Sequence, residues 1–255
     1  MIQESITFLN SQGELLHGIV RVPEGTGKFP AVILCHGFNT NKDHELMFGL
    51  WDAISRVGFV CLRFDFTGHG ESKGSFRDFT ISQSIRDVKS AIDTLKASGI
   101  VDEKRIAIVA HGIGASVALL VASQESIKAL VEISGIARLE DFISSRFSEH
   151  QIKEWKRRGF IQFHDFDELS VEILKDAERH DILASTGKLK CPLLIVHGTD
   201  DTSIPFENAR EIFYHAKVQK TFELIEGADH FFRNQEHREQ LYGLIVDFLN
   251  VNLRR

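Results

Sequence analysis

The chain has 255 residues, 43% hydrophobic and 26% charged, with a formal net charge of −6. That length suits one large α/β domain with a sizeable core, and an acidic balance without a long basic block argues against a nucleic-acid partner. Cys35, Cys61 and Cys191 are odd in number and far apart, which speaks against a disulfide framework and for a reducing compartment.

The opening MIQESITFLNSQGE carries no charged-then-apolar signal pattern, and no apolar run reaches the length of a membrane span, so a cytoplasmic chain with no membrane partner is expected. Residues 4–10 and 14–22 read as strands joined by the turn chemistry of NSQG. A loop rich in Gly and Pro leads to a short apolar strand, Ala31 to Cys35, which ends in HGFNTNKD. Leu46, Leu50, Ile54 and Val57 recur at helical spacing over 44–57, and Gly58 is a stop signal. Phe59 to Phe64 is the next strand, followed by the glycine-rich DFTGHGESKGS. Thr80 caps a helix with Ile81, Ile85, Val88, Ile92 and Leu95 on one face. Ile106 to Val109 form a short buried strand, and Gly114 to Val121, all small or apolar, a buried helix. Further strands are expected at 127–133, Pro192 to Val196 and 220–225, with helices at 206–216 and 236–252. There is no internal repeat.

Strands alternating with helices imply a parallel sheet with helices on both faces. Ligands bind such sheets beyond the carboxyl ends of the strands, where HGFNTN, DFTGHGES, AHGIG, HGTDDTS and EGADHFF all fall. Residues 136–190 break the rhythm and exceed an ordinary connection. Ile152 and Trp155 lie one helical turn apart, and Leu169, Ile173, Leu174 and Ala177 give a second amphipathic run. Phe160, Phe163 and Phe166 lie between the two. Aromatics this dense need something to bury against, so the segment is expected to roof the strand edge as a lid.

AHGIG, between strand and helix, resembles the nucleophile elbow G-x-S-x-G of the α/β-hydrolases. Ala110 replaces the first glycine, a small change in size. Gly112 stands at the serine position, which removes the nucleophile. HGTDDTSIP fits the hydrolase pattern H-G-x-x-D-x-x-[VI]-P with Asp201 as the acid; Asp200 is the competitor, disfavoured by spacing. His230 in EGADHFF follows the last strand, where the base of this fold belongs. HGF at 36–38 resembles the oxyanion-hole loop, with the N–H groups of Phe38 and Ile113 as donors. Together with D-x-x-G-x-G-x-S at 65–72, five motifs arrive in the order of this superfamily and cover almost the whole chain. RFDFTGHGESKGSF and the insertion of about 50 residues make it similar to small bacterial carboxylesterases of the feruloyl and cinnamoyl esterase type.

The resemblance implies an α/β-hydrolase fold over residues 1–255, with a mostly parallel eight-stranded sheet and the 136–190 lid inserted in it. It implies a Ser-Asp-His site for small-molecule carboxylic esters, those of aromatic acids among them, with no metal or organic cofactor. With Gly112 in the nucleophile position the chain is expected to be nearly inactive. Retention of Asp201, His230 and the HGF loop favours a replaced serine, as in an engineered nucleophile variant. The alternative is a natural non-catalytic relative that binds or regulates. A homo-oligomer is compatible with the sequence.

Other residues read more simply. His36, His111 and His197 end strands before a glycine and are structural turns rather than a three-His metal site. GHGESKG lacks the spacing of a phosphate loop. Cys35 at a strand end is packing rather than a substitute nucleophile. Ser72, Ser116 and Ser134 lack an elbow. Lys156, Arg157 and Arg158 are a solvated helix face.

Overall fold

A computed structural model describes residues 1–163 and 167–254. The elements in chain order are β1 (Ile2–Leu9), β2 (Leu15–Val22), β3 (Phe29–Cys35), α1 (Glu45–Arg56), β4 (Val60–Phe64), α2 (Ile81–Ala97), β5 (Val101–His111), α3 (Ile113–Ala122) and β6 (Ala129–Ile133). There follow α4 (Leu139–Arg146), α5 (Glu149–Arg158), β7 (Phe160–Phe163), β8 (Asp167–Ser170), α6 (Glu172–Ala177), α7 (Ile182–Thr186), β9 (Leu193–Gly198), α8 (Glu207–His215), β10 (Lys220–Ile225) and α9 (Gln235–Leu253).

Eight strands form one sheet in the order β1-β2-β4-β3-β5-β6-β9-β10. All eight coincide with strands expected from the sequence. β2 runs antiparallel to both neighbours, and the remaining pairs from β4 to β10 are parallel. The β1–β2 hairpin closes because the Asn10 side chain accepts the N–H groups of Gln12 and Glu14 at 2.9 and 3.0 Å, which fixes the turn locally.

Side-chain alternation divides the core into two layers. Val32, Leu34, Ala107, Val109, Leu194 and Val196 pack on one face against α1 and α9. Ile33, Cys35, Ile106, Ile108 and Ile195 pack on the other against α2, α3, α7 and α8. After β3 the chain crosses to β4 on one side of the sheet, and after β5 to β6 on the other. The loops leaving β3 and β5 therefore diverge, and a crevice opens between their carboxyl ends.

Two expectations are corrected. β5 begins at Val101, not Ile106, because Val101 pairs with Phe29 beyond an irregularity in the β3–β5 register; its polar DEKR stretch hid this extension. The second amphipathic run of the insertion is shorter than expected, because a strand pair precedes it. Gly159 ends α5 with φ 83°, and the β-forming FIQF then pairs with DELS as a two-stranded hairpin. Leu169 belongs to β8, and only Ile173, Leu174 and Ala177 share a helix, α6. Phe166 lies outside the described residues.

The insertion is fastened to the main body by Asp176 on α6. Its carboxylate accepts the Ser82 N–H at 2.8 Å and the Ser82 hydroxyl at 2.5 Å at the start of α2. Burial opposes the charge, but hydrogen bonds from His180 and Ser82 hold the carboxyl at about 2. This Ser, Asp and His group is a clip rather than a second triad, because the serine donates directly to the carboxylate.

Two glycines separate close packing from open space. A Cβ on Gly114 would lie 2.3 Å from the His36 carbonyl oxygen, where α3 passes under β3, whereas a Cβ on Gly243 in α9 would meet nothing within 4 Å. Gly114→Ala should destabilise by about 1–3 kcal/mol, and Gly243→Ala should stabilise by about 0.5–1 kcal/mol. Denaturant midpoints of the two variants moving in opposite directions is the expected outcome; equal shifts would contradict the packing.

Candidate active site

The site begins at the exit of β5. Gly112 has φ 57° and ψ −126° and serves as the N-cap of α3. This is a backbone conformation that a side chain rarely adopts and that glycine tolerates. The turn is anchored by the Gly112 N–H, which donates to the Ile133 carbonyl at 2.9 Å. Ala110, at the position of the first elbow glycine, is fully buried in β5.

Asp201 follows β9 and His230 follows β10. The His230 Nδ1–H donates to Asp201 Oδ2 at 2.7 Å. Its Nε2 then faces Gly112: a Cβ built there would lie 3.6 Å from His230 Nε2. Asp201 Oδ1 accepts the N–H groups of Ser203 and Ile204 at 2.9 and 2.8 Å, and His197 Nε2 lies 3.3 Å from Oδ2. Burial disfavours the carboxylate, but hydrogen bonds from His197 and His230 outweigh it and hold Asp201 well below the usual carboxylate range. Asp200, the competitor, is exposed and receives the Thr199 hydroxyl.

Phe38 and Ile113 flank Gly112. Among the described residues, neither backbone N–H donates to a protein acceptor, so both remain available to an anion. The start of α3 adds a favourable dipole at the same place. The loop carrying Phe38 is braced by Lys42, a residue the sequence reading passed over. Lys42 is 1% exposed, and its ammonium pairs with Asp65 at 2.9 Å and also with Asp43 and Glu71. The Lys42 N–H donates to Asp65 Oδ1 at 2.7 Å. The glycine-rich loop after β4 is thus a buttress for the loop after β3. His17, Asp65 and Glu71 lie close enough to resemble a metal site, but both carboxylates already pair with the Lys42 ammonium.

The three strand-end histidines have separate duties and do not converge. His36 accepts the Phe66 N–H at 3.1 Å. His111 donates to the His230 carbonyl at 2.9 Å and supports that loop. His197 donates to the Ile204 carbonyl at 2.8 Å. Cys35 is fully buried and burial pushes its thiol far up, which makes it a poor nucleophile. Ser72 and Ser116 are tied to backbone groups of Asp65 and Ile136, and Ser134 is fully buried. Lys156, Arg157 and Arg158 are exposed on α5.

A cavity of about 460 Å³ lies in front of Gly112 and His230, within the size range of small-molecule sites. Its walls include Phe38 and Phe231 from the sheet edge and Phe142, Arg146, Phe147 and Phe163 from the insertion. Phe38 meets Phe142 and Phe163 at ring separations of 5.8 and 5.1 Å. Sequence reasoning marked the segment and, of these residues, Phe38 and Phe163; Phe231 and Ser203 lie inside EGADHFF and HGTDDTSIP but were not singled out, and Phe142, Arg146 and Phe147 carried no motif that would have marked them. Among the described residues no helix is long and apolar enough to cross a membrane.

Glu132 sits behind the site on β6, fully buried, with Oε1 accepting the Gly135 N–H. Burial pushes its carboxyl up to about 7, against the opposing pull of His197 and Gly135. The folded value thus lies above the ordinary one, and the folded state holds a proton that the unfolded chain releases. The resulting stability is fully present below the unfolded value and is lost as pH rises through about 7. Glu132→Gln should therefore flatten the fall of melting temperature between roughly pH 5 and 8, recovering about 1–3 kcal/mol at the alkaline end. Parallel curves for the two proteins would contradict it.

The comparisons with known proteins agree with this fold. Residues 32–244 match the family model described as Alpha/beta hydrolase family. The human palmitoyl-protein thioesterase ABHD10, mitochondrial, is 26% identical over 197 residues, covering 73% of this chain and 61% of that protein. The chain thus spans less than two thirds of that relative's length. The uncharacterized protein YfhR of Escherichia coli O157:H7 is 25% identical over 97% of this chain and 82% of its own length. Among solved structures, Est1E from Butyrivibrio proteoclasticus with ferulic acid bound has a TM-score of 0.87 at 22% identity, covering 98% of this chain and 100% of that one. Mouse alpha/beta hydrolase domain-containing protein 10 has a TM-score of 0.81 at 21% identity, covering 97% and 99%. The matched family model spans most of the sheet and every loop at its carboxyl edge, and the chain belongs to the alpha/beta hydrolase family.

Proposed function

We propose that this chain is a carboxylic ester hydrolase scaffold whose nucleophilic serine is replaced by Gly112. The observation that carries the reading is the approach of His230 Nε2 to the Cβ position of Gly112, 3.6 Å, with the elbow backbone retained. A hydroxyl on that Cβ is within reach of a base already oriented by Asp201. In acyl transfer His230 takes the hydroxyl proton, the oxygen attacks the ester carbonyl, and the Phe38 and Ile113 N–H groups stabilise the resulting oxyanion.

Gly112 has no oxygen to attack with, so no acyl-enzyme forms. What remains is binding and carbonyl polarisation. A water in the vacated space is a weaker substitute, because it is less well fixed than a tethered oxygen. The phenylalanine walls favour an ester with an aromatic or short aliphatic acyl part, and the fold shared with Est1E, solved with ferulic acid, supports the aromatic choice. In this reading residues 136–190 act as the lid, within one domain spanning the chain. Three buried free thiols support a reducing, cytoplasmic setting. The intact Asp201–His230 hydrogen bond favours a replaced serine, as in an engineered variant, over a natural binder that lost its chemistry.

Gly112→Ser is the test. It should raise hydrolysis of a simple aryl ester by roughly four to six orders of magnitude. It should also lower stability by about 1 kcal/mol, since a non-glycine residue is strained at this φ. Adding His230→Ala should abolish the gain. A folded but inert serine form would overturn the disabled-esterase reading and favour a non-catalytic binder.

A further inference from the structure

The cavity in front of Gly112 has one charged side chain on its walls among the described residues, apart from histidine: Arg146, the last residue of α4. Its guanidinium lies 3.8 Å over the ring of Phe142 and donates to the Ser203 carbonyl at 3.5 Å, a long contact. Stacking uses the face of the guanidinium and leaves the in-plane donors open. Arg146 makes no ion pair among the described residues, whereas Arg138 on the same segment pairs with Glu211 at 3.0 Å. The acid that bears on the Arg146 charge is Asp201, and its carboxylate is already covered by His230, His197 and two backbone N–H groups. Asp141 and Glu207 line an adjoining cavity of about 290 Å³ that Arg146 also borders, without pairing to it.

A half-buried guanidinium against aromatic rings has lost water without gaining a counter-ion. A carboxylate entering the cavity supplies one, with two parallel charge-assisted hydrogen bonds. We propose that Arg146 makes this a site for anionic esters: the substrate carries an apolar, aryl-sized body and, separate from the ester group, one carboxylate that Arg146 binds. This inference deepens the ester-hydrolase reading and rests on it. It names a specificity residue on the insertion rather than on the hydrolase loops.

The chain as it stands suits the test, because Gly112 prevents turnover of a bound ester. Monomethyl terephthalate, methyl benzoate and benzoate are titrated against the protein, Arg146→Gln and Arg146→Lys, with melting temperatures as a folding control. The half-ester should bind about tenfold more tightly than methyl benzoate, and added salt should weaken the half-ester and benzoate more than methyl benzoate. Arg146→Gln should remove that preference by weakening the half-ester much more than methyl benzoate, and Arg146→Lys should restore part of it. Equal loss for both esters in Arg146→Gln, or no preference in the parent chain, would overturn the proposal. If neither ester binds, the ester reading fails on its own. Benzoate then decides the anion site: binding lost in Arg146→Gln upholds it, and binding absent or unaltered overturns it.

Discussion

Gly112 leaves β5 in a left-handed conformation and enters α3 within one residue. That sharp reversal requires two supports. The Gly112 N–H is held by the Ile133 carbonyl on the neighbouring strand, and Gly114 has no side chain where the His36 carbonyl presses on the helix. With both in place, the first turn of α3 points its free N–H groups at the crevice between β3 and β5. The loop after β3 is thereby brought beside them, and the Lys42–Asp65 pair holds it there. A backbone turn therefore sets free N–H groups at this corner of the site, and the residue at its apex does not have to be catalytic for the corner to exist.

The rest of the site is held electrostatically. Asp201 is buried yet ionised, because two imidazoles and two backbone N–H groups surround it. Such a carboxylate is stable only while its partners are complete, since a buried charge that loses a hydrogen bond costs several kcal/mol. His197, fixed by the Ile204 carbonyl, keeps the acid in place independently of His230. Glu132 lies behind His197; burial opposes protonation of that imidazole, but the hydrogen bond to Asp201, and after it the charge of Glu132 once ionised, raise its affinity for a proton. The loops after β6, β9 and β10 are thus coupled by charge as well as by strand pairing. This coupling orients His230 whether or not position 112 carries a hydroxyl.

The sequence disclosed what short-range rules govern. Each sheet strand has an apolar run or an alternating stretch near turn residues, so all eight were legible, and AHGIG between strand and helix marked the turn at Gly112. HGTDDTSIP and EGADHFF placed Asp201 and His230 because strand-end loops share one edge in a parallel sheet. What escaped depends on contacts distant in sequence. Val101 extends β5 only because Phe29 is there to pair with it. The hairpin of β7 and β8 was hidden because phenylalanines spaced by three fit a helix as well as a strand. Lys42 looks like any surface lysine until Asp65 and Glu71 arrive from another loop. Arg146 is one arginine among several in the insertion, and its place in the cavity depends on how α4, which also carries Phe142, packs over Ser203.

Replacing a serine by glycine at this apex acts on stability and chemistry in opposite senses. A side chain at φ 57° would carry strain, of the order of 1–3 kcal/mol, that glycine relieves. The surrounding groups do not depend on the missing hydroxyl: Asp201 keeps its partners, and the N–H groups of Phe38 and Ile113 are positioned by backbone. On the proposed reading, the change removes the reacting atom while leaving the lining of the cavity and the oriented base in place. The geometry of the remaining residues, rather than turnover of the chain as it stands, is then what supports that reading.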